Sequence, residues 1–258
     1  MGMGFWKFSI FHVAAAVLVV IMLGPVVAMF AAVRPGDVIG AFAQPQARDA
    51  LVVSLIASSI AVAVATVLGV PAGYALAHSG GGLRAGALAL LALPLAFPPV
   101  ASGIMLLQTV GSHTPLGAFL AAHGMPFVDS LPGVALAEFF VAGSFVAIVA
   151  TAAFATLDPI YEESARTLGA GPLRVFVSIA LPLAAPNVLA GIVLAWMRAI
   201  GEYGATSIVA YHPTALPVQL YVTLSSQGVG AALALSYGFV VLAAVAIALQ
   251  WALRRRVV

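Results

Sequence analysis

Long apolar runs constrain this chain more than any other feature. Six of them, at about 10–32, 51–77, 86–110, 134–157, 183–203 and 231–253, are each long enough to cross a hydrocarbon layer that takes roughly 20 residues of helix. A backbone in hydrocarbon must satisfy its own hydrogen bonds, which leaves the helix as the natural solution for such runs. The expected fold class is therefore all-α, a polytopic membrane protein with six transmembrane helices in a single domain over 1–258. Composition points the same way, with 63% hydrophobic and only 7% charged residues. The first run, preceded by Lys7, resembles a signal peptide. Its length, with no small-x-small site where it ends, favours a retained anchor over a cleaved leader.

So few charges make their positions informative. With six crossings and both ends on one side, that side holds Lys7, Arg84, Arg166, Arg174, Arg254, Arg255 and Arg256, against Arg34 and Arg48 on the other. The positive-inside bias then puts both termini and the loops 78–85 and 158–182 in the cytoplasm of a plasma (inner) membrane protein. The sole basic run, Arg254 to Arg256, is too short for a nucleic-acid surface, and no nucleic-acid partner is expected. The absence of cysteine removes disulfides and thiolate chemistry. Five scattered histidines form no spaced ligand set, Gly80-Gly81-Gly82 lacks the Lys-Ser/Thr of a phosphate loop, and no G-x-S-x-G or H-E-x-x-H occurs. No catalytic residue, metal site or cofactor is assigned to this chain.

The longest polar interruption, Asp158 to Asn187, reads as two short helices around a glycine turn. The first spans about Pro159 to Leu168, with proline near its start and Glu162 and Glu163 where the helix dipole favours anions. Gly169, Gly171 and Pro172 then stop it and start the next. Elsewhere prolines disturb the apolar runs. Pro94, Pro98 and Pro99 lie in LPLAFPPVASG, which ends on Gly103, and Pro182 and Pro186 lie in LPLAAPNVLAG. The shared LPLAxPxxxxG is either a faint internal repeat beside a pathway or ordinary proline use and coincidence. Arg198 and Glu202, one helical turn apart, either offer a field to an anion or neutralise each other at a gate or subunit contact. Glu138, near the start of the fourth run, is placed at the membrane interface.

Within 158–182, Glu163-Ser164-Ala165, three residues, Gly169, nine residues, Ile179, one residue and Leu181-Pro182 fit E-A-A-x3-G-x9-I-x-L-P with one departure, serine for alanine. This resembles the EAA loop of ABC importer permeases. The likeness runs from about residue 50 to 250 through Tyr74-Ala75-Leu76-Ala77, the Pro94 to Gly103 stretch and Gly201-Glu202-Tyr203-Gly204-Ala205. It is greatest for the sulfate/molybdate/tungstate group, and Ala210 to Pro213 with Tyr221 looks more like the molybdate/tungstate members. The resemblance implies an ATPase-coupling loop carrying Glu162, Glu163, Ser164, Ala165, Arg166, Gly169, Gly171, Leu181 and Pro182. For the pathway or gate the candidates are Pro94, Pro98, Pro99, Gly103, Arg198, Glu202 and Gly204. It further implies a second copy of the chain, a cytoplasmic ATP-binding subunit dimer that holds ATP and Mg, and an extracytoplasmic oxyanion-binding protein. Sulfate or another small solute is the alternative cargo, and an ATP-independent secondary transporter the alternative machine.

Overall fold

The computed structural model describes the backbone of residues 3–257 and the side chains of residues 10–252, so the side chains of Lys7 and Arg254 to Arg256 lie outside the described residues. In chain order the helices are α1 (Met3–Ala32), α2 (Pro35–Ala43), α3 (Pro45–Ala77), α4 (Gly81–Ala96), α5 (Pro99–Val110), α6 (Pro115–Ala122) and α7 (Leu131–Ala155). After them come α8 (Pro159–Thr167), α9 (Pro172–Val175), a π-helical turn (Phe176–Ala180), α10 (Leu181–Ile200), α11 (Gly204–Val209), α12 (Leu216–Gln227) and α13 (Val229–Val257). No strand occurs among the described residues.

Prolines begin many of these helices. One stands in the first two positions of α2, α3, α5, α6, α7, α8, α9 and α12, where its missing N–H would have lacked a partner anyway. Side-chain caps complete several starts. The hydroxyls of Thr114 and Ser130 accept the backbone N–H of Gly117 and Gly133.

Among the described residues, five helices are long and apolar enough to cross a membrane: Ile10–Ala32, Pro45–Ala77, Leu131–Ala155, Pro172–Ile200 and Val229–Ala252. The core is the pairing of α3 with α7. α3 presents Ala50, Ser54, Ala57, Ser58, Ala61, Ala65, Gly69 and Gly73 as a buried stripe of small residues, which lets two backbones approach closely without a large apolar driving force. Gly69 lies against Ala147 and Gly73 against Ala150, while Ala57 clusters with Val134 and Ala135. Position therefore advances along both helices together, and α3 and α7 run parallel. α10 runs the opposite way, with Phe176 beside Phe154 at one end and Tyr203 beside Val134 at the other.

The third expected span, 86–110, is not a straight helix. α4 and α5 are turned 106° from one another at Phe97 and Pro98. A residue before proline is pushed out of the helical region, and here two successive residues precede one; Phe97 has ψ 141° and Pro98 ψ 138°. The chain still crosses. α4 starts at the end of α3, where the Arg84 guanidinium donates to the carbonyls of Leu76, Ala77 and Ser79, and α5 reaches the start of α7, where Leu106 packs with Ala137. Because α3 and α7 are parallel, the bent pair must be the return crossing between them, giving six.

Two other expectations change. The second short helix and the fifth span form one continuous rod from Pro172 to Ile200, so Leu181-Pro182 marks no break. Pro182 has no N–H to give to the carbonyl of Ser178, and the π turn takes up the misfit, with the Leu181 N–H reaching back to Phe176. Glu138 does not look out of the bundle toward lipid or water. It is fully buried in α7 at 0% exposure, and Ser58 of α3 stands against it without a hydrogen bond of ordinary geometry to either carboxylate oxygen.

Candidate functional site

One face of the bundle gathers the ends of α3 and α7, the start of α4 and the 158–171 segment. α8 is built to stand there by itself. Asp158 caps it, its Oδ1 accepting the Ile160 N–H at 3.0 Å, with Pro159 at the first position, Glu162 in the first turn and Arg166 in the last. Gly169 closes it at φ +85°, a conformation open to glycine and strained for most residues. There the Gly169 N–H bonds to the Arg166 carbonyl and the Ala170 N–H to that of Ala165. Gly171 has an ordinary extended conformation, φ −70°, and leads into Pro172. The first helix and the glycine turn expected from sequence are present, and the second helix starts at Pro172 but runs on to Ile200.

The surface of this segment is unusual for a polar loop. Glu163, Ser164, Arg166 and Thr167 are exposed, and so are Ile160, Tyr161, Leu173 and, at 89%, Leu168. Apolar side chains are thus left bare at the tip of a charged segment. Ala165 is half-buried, Leu181 packs on the core and Pro182 is exposed. Glu162 turns the other way. Only 5% exposed, its Oε2 meets the Tyr74 hydroxyl at 2.9 Å, Arg166 Nη2 at 2.8 Å and His78 Nε2 at 3.1 Å. Tyr74 and His78 were not singled out as site residues by sequence. The available signal was a tyrosine and a histidine one turn apart where an apolar run stops.

Toward the opposite face, the α4–α5 bend meets α11. A Cβ on Gly204 would lie 2.5 Å from the Pro99 Cβ, and one on Gly103 would lie 2.7 Å from the Ile208 Cβ and 3.0 Å from the Ala205 Cα. Both glycines serve backbone contact. Beside them Arg198 Nη1 is 2.7 Å from Glu202 Oε2, and Glu202 Oε1 accepts the Ala205 N–H at 3.0 Å. Glu202 is thus a buried carboxylate that neutralises Arg198 and caps α11. Pro99, Gly103, Arg198, Glu202 and Gly204 share one neighbourhood; Pro94 lies in α4, beyond the bend. Phe97, Pro98, Pro99 and Val100 expose an apolar ridge there.

Asp129 adds a clamp that sequence reading did not foresee. At φ +45°, its Oδ1 accepts the N–H groups of Tyr211 and His212 at 2.9 and 3.3 Å. It thereby ties the segment before α7 to the 210–214 connection.

The family model for a binding-protein-dependent transport system inner membrane component matches residues 65–258. The chain is 38% identical over 239 residues to a probable molybdenum ABC transporter permease of Haloferax volcanii, covering 93% of this chain and 87% of that protein. It is 34% identical to a molybdate/tungstate transport permease of Thermococcus kodakarensis, with 72% and 70% coverage. A sulfate transport permease of Synechocystis is 32% identical, with 79% and 75% coverage. Among solved structures, a chain of a bacterial alginate ABC transporter superposes with TM-score 0.71 at 16% identity, covering 96% of this chain and 92% of that one. An inward-facing methionine ABC transporter chain gives 0.64 at 16% identity, with 82% and 94% coverage. The chain belongs to the inner-membrane permease components of binding-protein-dependent ABC transport systems.

Proposed function

We propose that this chain is the membrane-spanning subunit of an ATP-driven importer of tetrahedral oxyanions, molybdate or tungstate. In this reading it works as a homodimer by alternating access, with substrate delivered by an extracytoplasmic binding protein. The observation that carries the cargo assignment is the 38% identity to a molybdenum permease across 93% of the chain. Sulfate is the second reading, favoured by the likeness to a sulfate permease.

The 158–182 loop is the docking element for a cytoplasmic ATP-binding subunit. Its exposed leucines flank the left-handed Gly169 turn, and Glu163 and Ser164 lie on the outward face of α8. Docking moves α8, and with it the rod from Pro172 to Ile200, so the pathway opens alternately to either side. ATP and Mg belong to the partner subunit, and this chain supplies no catalytic group. The pathway holds its anion weakly, because Arg198 is neutralised by Glu202; selectivity rests on the binding protein.

Two measurements test this reading. Glu163→Arg or Gly169→Pro abolishes co-purification of the ATP-binding subunit, and retention of that subunit by both variants contradicts docking at this loop. Calorimetry of the partner binding protein gives tight binding of molybdate and tungstate. Tight sulfate binding with no molybdate signal overturns the cargo while leaving the permease assignment intact.

A further inference from the structure

Four buried polar side chains stand unpartnered between the core pair and the bent crossing. Ser58 of α3, Ser102 of α5, Glu138 of α7 and Thr206 of α11 are each 1% exposed or less. Neither their hydroxyls nor either oxygen of Glu138 has a hydrogen-bond partner in the chain, whereas polar atoms out of water normally bond to something. Other hydroxyls in this bundle turn back on their own helix, Ser144 donating to the Phe140 carbonyl, Thr151 to that of Ala147 and Ser236 to that of Ala232. Ser58, Ser102 and Thr206 make no such bond.

Packing brings the four to one level of the bundle. Ala210, one turn after Thr206, packs with Ala57, which precedes Ser58, and with Val134, one turn before Glu138. Leu106, one turn after Ser102, packs with Ala137 and Ala205, the residues before Glu138 and Thr206. A Cβ on Gly103, next to Ser102, would lie 3.0 Å from the Ala205 Cα, and Ser58 stands against Glu138. One turn before Ser58, the Ser54 hydroxyl is already taken by the Leu216 N–H.

Charge and donor type select an occupant. Arg198 is held by Glu202, whose other oxygen caps Ala205, so no described cation pairs with Glu138. A buried carboxylate without a counter-charge is costly, and water would supply hydrogen bonds without the charge. The donors are one carboxylate and three hydroxyls, an all-oxygen set that suits a hard cation. One negative charge is balanced by one positive charge, and a divalent ion would leave the site charged. We infer that Ser58, Ser102, Glu138 and Thr206 form a buried site for a single dehydrated alkali cation, sodium or potassium. The ion ties α5 and α11 to the core pair of α3 and α7. The site depends neither on the cargo nor on docking at the 158–182 loop.

Thermal unfolding of the full chain in detergent reads the site without substrate. N-methylglucamine is replaced stepwise by sodium or by potassium at constant chloride and ionic strength. A ligand bound only by the native state raises the midpoint with the logarithm of its concentration, here by about 3–5 °C for each tenfold increase beyond half-filling. The metal with the larger response is the preferred ion. Glu138→Gln keeps the side-chain shape, removes the charge and abolishes the response. Ser102→Ala and Thr206→Val shift it severalfold toward higher concentration. Asp49→Asn, which neutralises an exposed carboxylate on the same α3, retains it. Equal native midpoints in sodium, potassium and N-methylglucamine overturn the site and leave a proton as the neutralising charge. A native response in Glu138→Gln overturns it equally.

Discussion

Glu202 and Gly73 show how single side chains hold a bundle whose buried surface is mostly alanine, glycine and valine. Glu202 has two duties, the ion pair to Arg198 and the cap on Ala205, and substitutions separate them. Glu202→Gln keeps an amide oxygen for the cap but strands a half-buried guanidinium; Glu202→Ala loses both. The expected gap in stability between the two is about 1 kcal/mol, the worth of a cap, with Gln the milder change. Adding Arg198→Leu to Glu202→Gln recovers part of the loss, because the stranded charge is the larger penalty. Denaturation in detergent checks all three, and equal cost for Gln and Ala shows that the cap contributes nothing. At Gly73 a Cβ would lie 2.6 Å from the Ala150 Cβ and 2.8 Å from the Thr151 nitrogen. Gly73→Ala therefore forces α3 from α7 and costs about 1–3 kcal/mol, the usual penalty of overpacking. A comparable substitution at Gly80, which has open space around it, leaves the thermal midpoint unchanged.

At the scale of elements, proline decides what sequence could and could not reveal. Pro159 and Pro172 could be read as helix starts because a charged segment and a glycine turn surrounded them. Pro35, Pro115 and Pro217 start helices in the same way, yet in connections rich in glycine and proline they read as loop, and α2, α6, α11 and α12 were not anticipated. The repeated LPLAxPxxxxG shows the limit more sharply. Each copy ends on a close-packed glycine, Gly103 against Ile208 and Gly191 against Val149, but the first copy bends by 106° and the second stays helical through Pro186. The copies differ at four positions, and the one that bears on backbone geometry is the residue after the second proline: Pro98 is followed by Pro99, whereas Pro186 is followed by Asn187. Pro99→Ala should let α4 and α5 straighten. Spin labels at Leu90 and Ile104, both exposed, report it. The backbone separation is about 13 Å across the bend and about 21 Å along a straight helix, at 1.5 Å rise per residue. An unchanged distance would show that the packing of α5 on α11, not the proline pair, fixes the bend.

For the whole molecule, the parallel course of α3 and α7 turns a count of helices into a topology. Apolar runs could be counted in the sequence; which helices touch could not be read from it, because alanine and glycine stripes carry no partner identity. The Gly69 and Gly73 contacts with α7 force a return crossing between residues 78 and 130, and the Glu162 contacts place the end of α3 and the start of α8 on the same face. The opposite face is closed by Ser54, whose hydroxyl accepts the Leu216 N–H at 2.8 Å, and by the Asp129 clamp on Tyr211 and His212. α1 touches α13 near its end, with the Phe30 ring edge-on to Tyr237 at 5.0 Å, but none of its apolar window is buried within the chain, so most of it meets lipid or another subunit. Six crossings and the charge bias together predict that Gly80 and Ser164 face the cytoplasm and that Gly36 and Thr214 face outward. The chain has no cysteine, so single cysteines at these positions report without background. In intact cells a membrane-impermeant maleimide labels Gly36→Cys and Thr214→Cys and reaches Gly80→Cys and Ser164→Cys only after permeabilisation. The inverse pattern reverses the orientation and removes the proposed docking loop from the compartment that holds ATP. Labelling of Gly80→Cys and Ser164→Cys from different sides would mean that the bent pair does not cross, and with it the parallel pairing of α3 and α7 would fail.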